Sequence, residues 1–182
     1  MRRARAAAGD AVDFPPMTNQ RIRAAVDAFV AEQAGGSTSY EARRACDFRH
    51  SPAAEAEFGP VASWPVSAVT DFSALFESCT KFDEDISGWD VANGKTFINM
   101  FAGCCKFDRP LGGWEVGRAE DLRGMFWFAS AFNQDLRGWR VAASAETRLM
   151  FCGANSFDLA AHAPRAMGLV DGKPRTKWTK WD

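Results

Sequence analysis

Oxygen-bearing side chains recur at a fixed interval through the middle of the chain. Asp83, Asp108, Asn133 and Asp158 stand 25 residues apart, with Asp85 and Asp135 two positions further on. Stacked in register, they would offer the hard oxygen ligands that Ca²⁺ takes. The pattern favours a plainer use: an Asx side chain after an apolar residue closes a turn by accepting from backbone N–H groups. Five cysteines are the other candidate chemistry: Cys46, Cys79, Cys104, Cys105 and Cys152. An odd number of cysteines without a secretory signal fits a reducing compartment. Cys79 and Cys104 share one column of the interval, so stacking would bring them to about 5 Å, within disulfide reach. Ala129 and Ala154 fill that column later, so both thiols read as small buried apolar groups. His50 and His162 have no partner at zinc-ligand spacing. The chain has no Gly-rich phosphate loop, no G-x-S-x-G and no H-E-x-x-H. The reading assigns no catalytic residue, no metal and no cofactor, and treats the protein as non-enzymatic.

The elements that would position these groups come from the same interval. Trp64, Trp89, Trp114 and Trp139 are each 25 residues apart, with no insertion between them. Phe76, Phe101, Phe126 and Phe151 form a second column, and Phe82, Phe107, Phe132 and Phe157 a third. Eight of the 15 phenylalanines lie in those two columns, so the aromatic content is assigned to the core. A period of this length marks units that bury their apolar sides by stacking. Ile86-x-x-Trp89-x-Val91, Leu111-x-x-Trp114-x-Val116 and Leu136-x-x-Trp139-x-Val141 have the L-x-x-L-x-L form of a leucine-rich-repeat strand. Gly88, Gly113 and Gly138 precede three of the tryptophans and would turn the chain sharply into the strand. Phe72, Leu75, Phe76 and Cys79 fall at i, i+3, i+4 and i+7, which predicts a short α- or 3₁₀-helix in each unit.

The fold expected is therefore α/β: a short leucine-rich-repeat-like solenoid of four to five strand–turn–helix repeats of 25 residues, with a parallel sheet and an N-terminal capping helix. Residues 1–17 read as a disordered N-terminus. Residues 18–57 hold the capping helix and a connecting segment. Thr18 is its N-cap, Ile22, Ala25, Val26, Phe29 and Val30 its apolar face, and Gly35-Gly36 its stop. Residues 58–163 are the repeats, and 164–182 a basic tail with tryptophans. The net charge of −1 argues against a nucleic-acid partner. It conceals 13 acids against 9 bases over 64–163 and 5 bases against 2 acids from 164 onward. No apolar run approaches the ~20 residues of a membrane span.

Three stretches carry a family resemblance: Val69-Thr-Asp-Phe-Ser-Ala-Leu-Phe, Ile86-Ser-Gly-Trp-Asp-Val and Ala131-Phe-Asn-Gln-Asp-Leu-Arg-Gly-Trp. Over about residues 58–160 the chain resembles the BspA-like leucine-rich repeat surface proteins, found in bacterial surface lipoproteins and in expanded sets in unicellular eukaryotes. The resemblance implies an α/β solenoid and a role in adhesion or protein–protein contact, with no catalytic residues to carry over. Thr147 and Ala160-Ala-His-Ala depart from the pattern and read as a closing repeat. The resemblance points to the cell surface and the reduced cysteines to the cell interior, so no compartment is assigned.

The function expected is a non-catalytic protein–protein recognition module. Its partner, a protein of unassigned identity, would dock on the outward strand face at Asp90, Glu115 and Arg140. Lys177, Trp178 and Trp181 of the tail would offer a second contact. The alternative is a structural subunit held in a larger assembly by the N-terminal helix and the tail. The oligomeric state is not assigned.

Overall fold

A computed structural model describes residues 14–164, 169–170 and 173–174. Tail residues Lys177, Trp178 and Trp181, and residues 1–13 of the stretch read as disordered, lie outside the described residues. The disorder expected for 1–17 does not extend through Met17, which is buried and whose amide donates to Pro65 O at 3.0 Å.

Helix α1 (Asn19–Gln33) starts where the Thr18 hydroxyl accepts from Arg21 N at 3.1 Å. It ends before Gly35 and Gly36, both at positive φ, with Gly36 N returning to Ala31 O at 2.9 Å. Its buried face of Ile22, Ala25, Val26, Phe29 and Val30 belongs to the same core as the tryptophan columns. The helix is fastened to the first unit at its polar edge too. Arg23 Nη2 lies 2.8 Å from Asp71 Oδ2, and Asn19 Oδ1 accepts from Thr70 N at 2.9 Å. Helix α2 (Tyr40–Ala45), a 3₁₀ turn (Phe48–His50), helix α3 (Pro52–Phe58) and a second 3₁₀ turn (Val61–Ser63) lead to Trp64. Helix α4 (Leu159–His162) follows the last unit.

Between Trp64 and Asp158 the structure corrects the expected fold class. No strand and no helix forms there, so the α/β leucine-rich-repeat-like solenoid with a parallel sheet is not what this chain builds. Among the described residues, extended pairing is confined to isolated parallel bridges linking Asp71, Thr96, Asp121 and Glu146, and to two antiparallel strands of two residues each, β1 (Leu169–Val170) and β2 (Lys173–Pro174). The chain is instead a series of tight turns.

The hydrogen bonds explain why. In the segment expected to be helical, alternate amides point in different directions. Leu75, Glu77 and Cys79 donate three residues back, to Phe72, Ala74 and Phe76. Phe72, Ala74, Phe76 and Ser78 donate outward to Thr96, Ile98, Met100 and Ala102 of the next unit, at 2.7–3.0 Å. The same alternation repeats from Phe97 and from Leu122. A helix would have directed every amide to its own carbonyl four residues back. Positive φ at Ala74 and Ser78, Asn99 and Gly103, Gly124 and Phe128, and Leu149 and Gly153 interrupts that path twice in each unit. The strand fails for a related reason. Trp89 N bonds Ile86 O and Gly94 N bonds Val91 O, so each Trp-x-Val is enclosed by turns on both sides.

Aromatic columns fill the interior. Trp64–Trp89 and Trp89–Trp114 stack at 5.9 and 6.4 Å between centroids. Phe76, Phe101, Phe126 and Phe151 stack at 5.5–5.9 Å. Three of the four indoles also join two units through their N–H, while Trp64 Nε1 donates to nearby Gly59 O. Trp89 Nε1 donates to Val61 O, Trp114 Nε1 to Ile86 O and Trp139 Nε1 to Leu111 O, at 2.7–3.1 Å. This bond accounts for Trp where a leucine would otherwise suffice for burial. Trp114→Phe should therefore lower stability by about 1–2 kcal/mol through the lost bond and the smaller ring. Urea unfolding would measure it, and a neutral result would mean that the indole N–H contributes nothing.

Candidate functional site

The polar columns hold the units together. Asp108 N donates to Asp83 Oδ1 at 3.3 Å, Asn133 N to Asp108 Oδ1 at 2.9 Å, and Asp158 N to Asn133 Oδ1 at 3.0 Å. Asp83, Asp108 and Asn133 thus cap the backbone of the following unit, whereas Asp158, Asp85 and Asp135 accept from amides two or three residues on in their own turns. Arg109 grips Asp83 with two bonds of 3.0 and 2.6 Å, Gln134 takes Asp108 at 2.8 Å, and His162 Nδ1 lies 3.0 Å from Asn133 Oδ1. Among the described residues no group of carboxylates, thiols and imidazoles is placed to hold a metal ion. Asp135, clamped by the side chain and backbone amide of Arg137, has its pKa held well below the ordinary carboxylate range. Asp85, accepting from Ser87, shifts the same way.

The described cysteines are all free thiols. Burial pushes Cys46 and Cys79 up to about 12, and fully enclosed Cys104 well above its ordinary value. A thiol so placed is a poor nucleophile at neutral pH. Cys104 Sγ instead donates to Phe76 O at 3.0 Å. The shift carries a pH dependence. An unfolded thiol ionises near 9.0 while these stay protonated, so stability is fully present below pH 9 and falls as pH rises from about 9 through 12. Replacing Cys79 and Cys104 by the alanine found later in their column should flatten that alkaline decline in thermal melts recorded at stepped pH. An unchanged decline would show that other groups cause it.

Asp90, Glu115 and Arg140 are exposed, one per unit, in irregular segments between turns rather than on a sheet. Asp90 Oδ1 accepts from Ala92 N at 3.2 Å, and none of the three forms an ion pair with a described residue. Trp64, Trp89, Trp114 and Trp139 and the eight phenylalanines of the two columns are buried.

Residue spacing does not reveal a groove of about 440 Å³ on another face. Ala102 and Gly103 lie between Glu77-Ser78 on one side and Trp127-Phe128 on the other, and Tyr40 and Arg44 of α2 also line it. Tyr40 is 59% and Phe128 48% exposed, and these two with Leu149 are the large apolar side chains most open to water among the described residues. Phe128 holds φ +54°, a left-handed backbone that costs an aromatic residue on the order of 1–3 kcal/mol. The matching positions are Ser78, Gly103 and Gly153. Trp127 Nε1 is buried without a hydrogen-bond partner. One signal in the sequence did mark the place. Trp127-Phe128 stands where other units have Glu77-Ser78, Ala102-Gly103 and Cys152-Gly153.

Among the described residues no helix is long and apolar enough to cross a membrane. Residues 46–163 match the family described as "Mycoplasma protein of unknown function, DUF285", and the chain belongs to that family. No curated protein and no solved structure matches it.

Proposed function

We propose that this member of the DUF285 family is a protein-recognition module that docks its partner on the aromatic groove, with the Asp90–Glu115–Arg140 column as a second contact. The observation that carries the reading is Phe128. A bulky apolar side chain is held half in water, on an unfavourable backbone, at a position where glycine serves elsewhere. Backbone strain of this kind clusters where function maintains it. Exposed Tyr and half-buried Trp beside it are the residue types that anchor protein interfaces. The units behind them are cross-bonded at fixed spacing, so the surface is preorganised and little ordering entropy is lost on docking. The resemblance to BspA-like surface proteins supports contact between proteins as the role.

Native co-purification compares the full chain with Phe128→Gly and with Asp90→Lys/Glu115→Lys. The expected result is a partner retained by the wild type and lost from Phe128→Gly, whose melting temperature does not fall. A smaller loss is expected from the charge reversal. Recovery of the same proteins in the same amounts by all three would end the reading. Helix α1 turns its apolar face onto its own chain, which favours the recognition reading over the structural-subunit alternative.

A further inference from the structure

The groove also holds one cation without an ion pair among the described residues, and the inference drawn from it rests on the recognition reading above. Its two charged lining residues differ in how they are occupied. Glu77 Oε1 accepts from Asn99 Nδ2 at 3.3 Å. Arg44 stands with its guanidinium 5.5 Å from the centre of the Tyr40 ring and makes no ion pair among the described residues. The backbone beneath it is fixed, because Thr80 Oγ1 donates to Arg44 O at 2.8 Å and Lys81 Nζ to Ala45 O at 3.0 Å. Lys106 follows the lining residue Cys105 and is likewise exposed without an ion pair among the described residues. The groove therefore holds Arg44 with no ion-pair partner among the described residues, beside a Glu77 carboxylate already engaged by Asn99.

We propose that the groove takes an extended peptide in which an acidic residue neighbours an aromatic one. The carboxylate meets Arg44, a planar cation already oriented by the Tyr40 ring. The aromatic side chain lies over the small floor of Ala102 and Gly103, against Phe128 and Trp127. Small residues at the base and rings at the wall make a slot that accepts a flat side chain, and the unpaired cation fixes which end of the peptide lies there.

Fluorescence anisotropy on the full chain tests this with three labelled nonapeptides in a Gly/Ser background, carrying a central Asp-Phe, Lys-Phe or Asp-Ala pair. The Asp-Phe peptide should bind at least about tenfold more tightly than either of the others, the scale of one charge-assisted contact. Arg44→Glu, an exposed change checked by its unaltered melt, should reverse the order of the Asp-Phe and Lys-Phe peptides. Phe128→Gly should weaken both. Equal binding of the two on the wild type, or an order unmoved by Arg44→Glu, overturns the acidic preference. Loss of binding in Phe128→Gly would then still leave the groove as a recognition site. Tighter binding of a thymidine oligonucleotide than of any peptide also overturns the proposal. If no peptide binds and Phe128→Gly retains the same co-purified partners, this proposal and the recognition reading fall together.

Discussion

Phe101→Ala should remove about 3–5 kcal/mol of stability, from a total that for a domain of this kind is about 5–15 kcal/mol. Phe101 is fully buried where the columns meet. Its ring stacks 4.3 Å from Phe107, 5.6 Å from Phe126 and 5.9 Å from Phe76, and lies 6.3 Å from Trp114. The neighbours cannot close the gap, because backbone bonds pin the units on both sides. Phe76 N is tied to Met100 O and Phe101 N to Met125 O. The transfer term and an unrelaxed cavity therefore add. Phe157→Ala is the control. Among the described residues Phe157 stacks on Phe132 and Phe151 and meets His162 at a tilt, and it is 9% exposed, so its loss should be smaller, about 2–3 kcal/mol. Urea unfolding followed by tryptophan fluorescence measures both. A Phe101→Ala loss under about 1 kcal/mol would mean that the rings touch without carrying the fold.

How much of this was legible in the sequence depended on whether a position repeats its residue type. The tryptophan and phenylalanine columns do, and those residues line the interior. The expected helix was wrong because its evidence was shared. Phe72, Leu75, Phe76 and Cys79 are all buried, and a chain of turns places i, i+3, i+4 and i+7 inside as a helix does. The feature that decides between the two is left-handed backbone at positions occupied by Ala74, Asn99, Gly124 and Leu149, and by Ser78, Gly103, Phe128 and Gly153. Neither set keeps one residue type, glycine standing only at Gly124, Gly103 and Gly153, so no column announces them. The Asx spacing was visible, but the donor to Asp83, Asp108 and Asn133, an amide in the next unit, was not. The groove was hidden for a different reason. Tyr40 and Arg44 reach it from a helix far upstream of Gly103 and Phe128, and pairing across such a distance leaves no periodicity to read.

Neighbouring glycines make the same point with opposite expected signs. Gly112→Ala should cost about 1–3 kcal/mol, whereas Gly113→Ala should leave stability unchanged or raise it by up to about 1 kcal/mol. Sequence spacing singles out the second of the two, since Gly88, Gly113 and Gly138 form a column before the tryptophans and Gly112 belongs to none. Geometry singles out the first. Neither has a positive φ, so conformational freedom is not the reason for either. A Cβ at Gly113 would meet nothing within 4 Å, and alanine there only narrows the unfolded ensemble. A Cβ at Gly112 would sit 2.6 Å from the Asp135 carbonyl oxygen, a backbone atom that no side-chain rotation can remove. Relief would have to displace Asp135 and, with it, buried Leu136, whose amide is fixed to His162 O at 2.9 Å. The clash therefore propagates into the closing helix α4 instead of relaxing locally. Urea unfolding of the two variants beside the wild type gives the answer. If Gly113→Ala loses as much as Gly112→Ala, the turn into Trp114 demands glycine for its own conformation, and close approach between units is not what selects it.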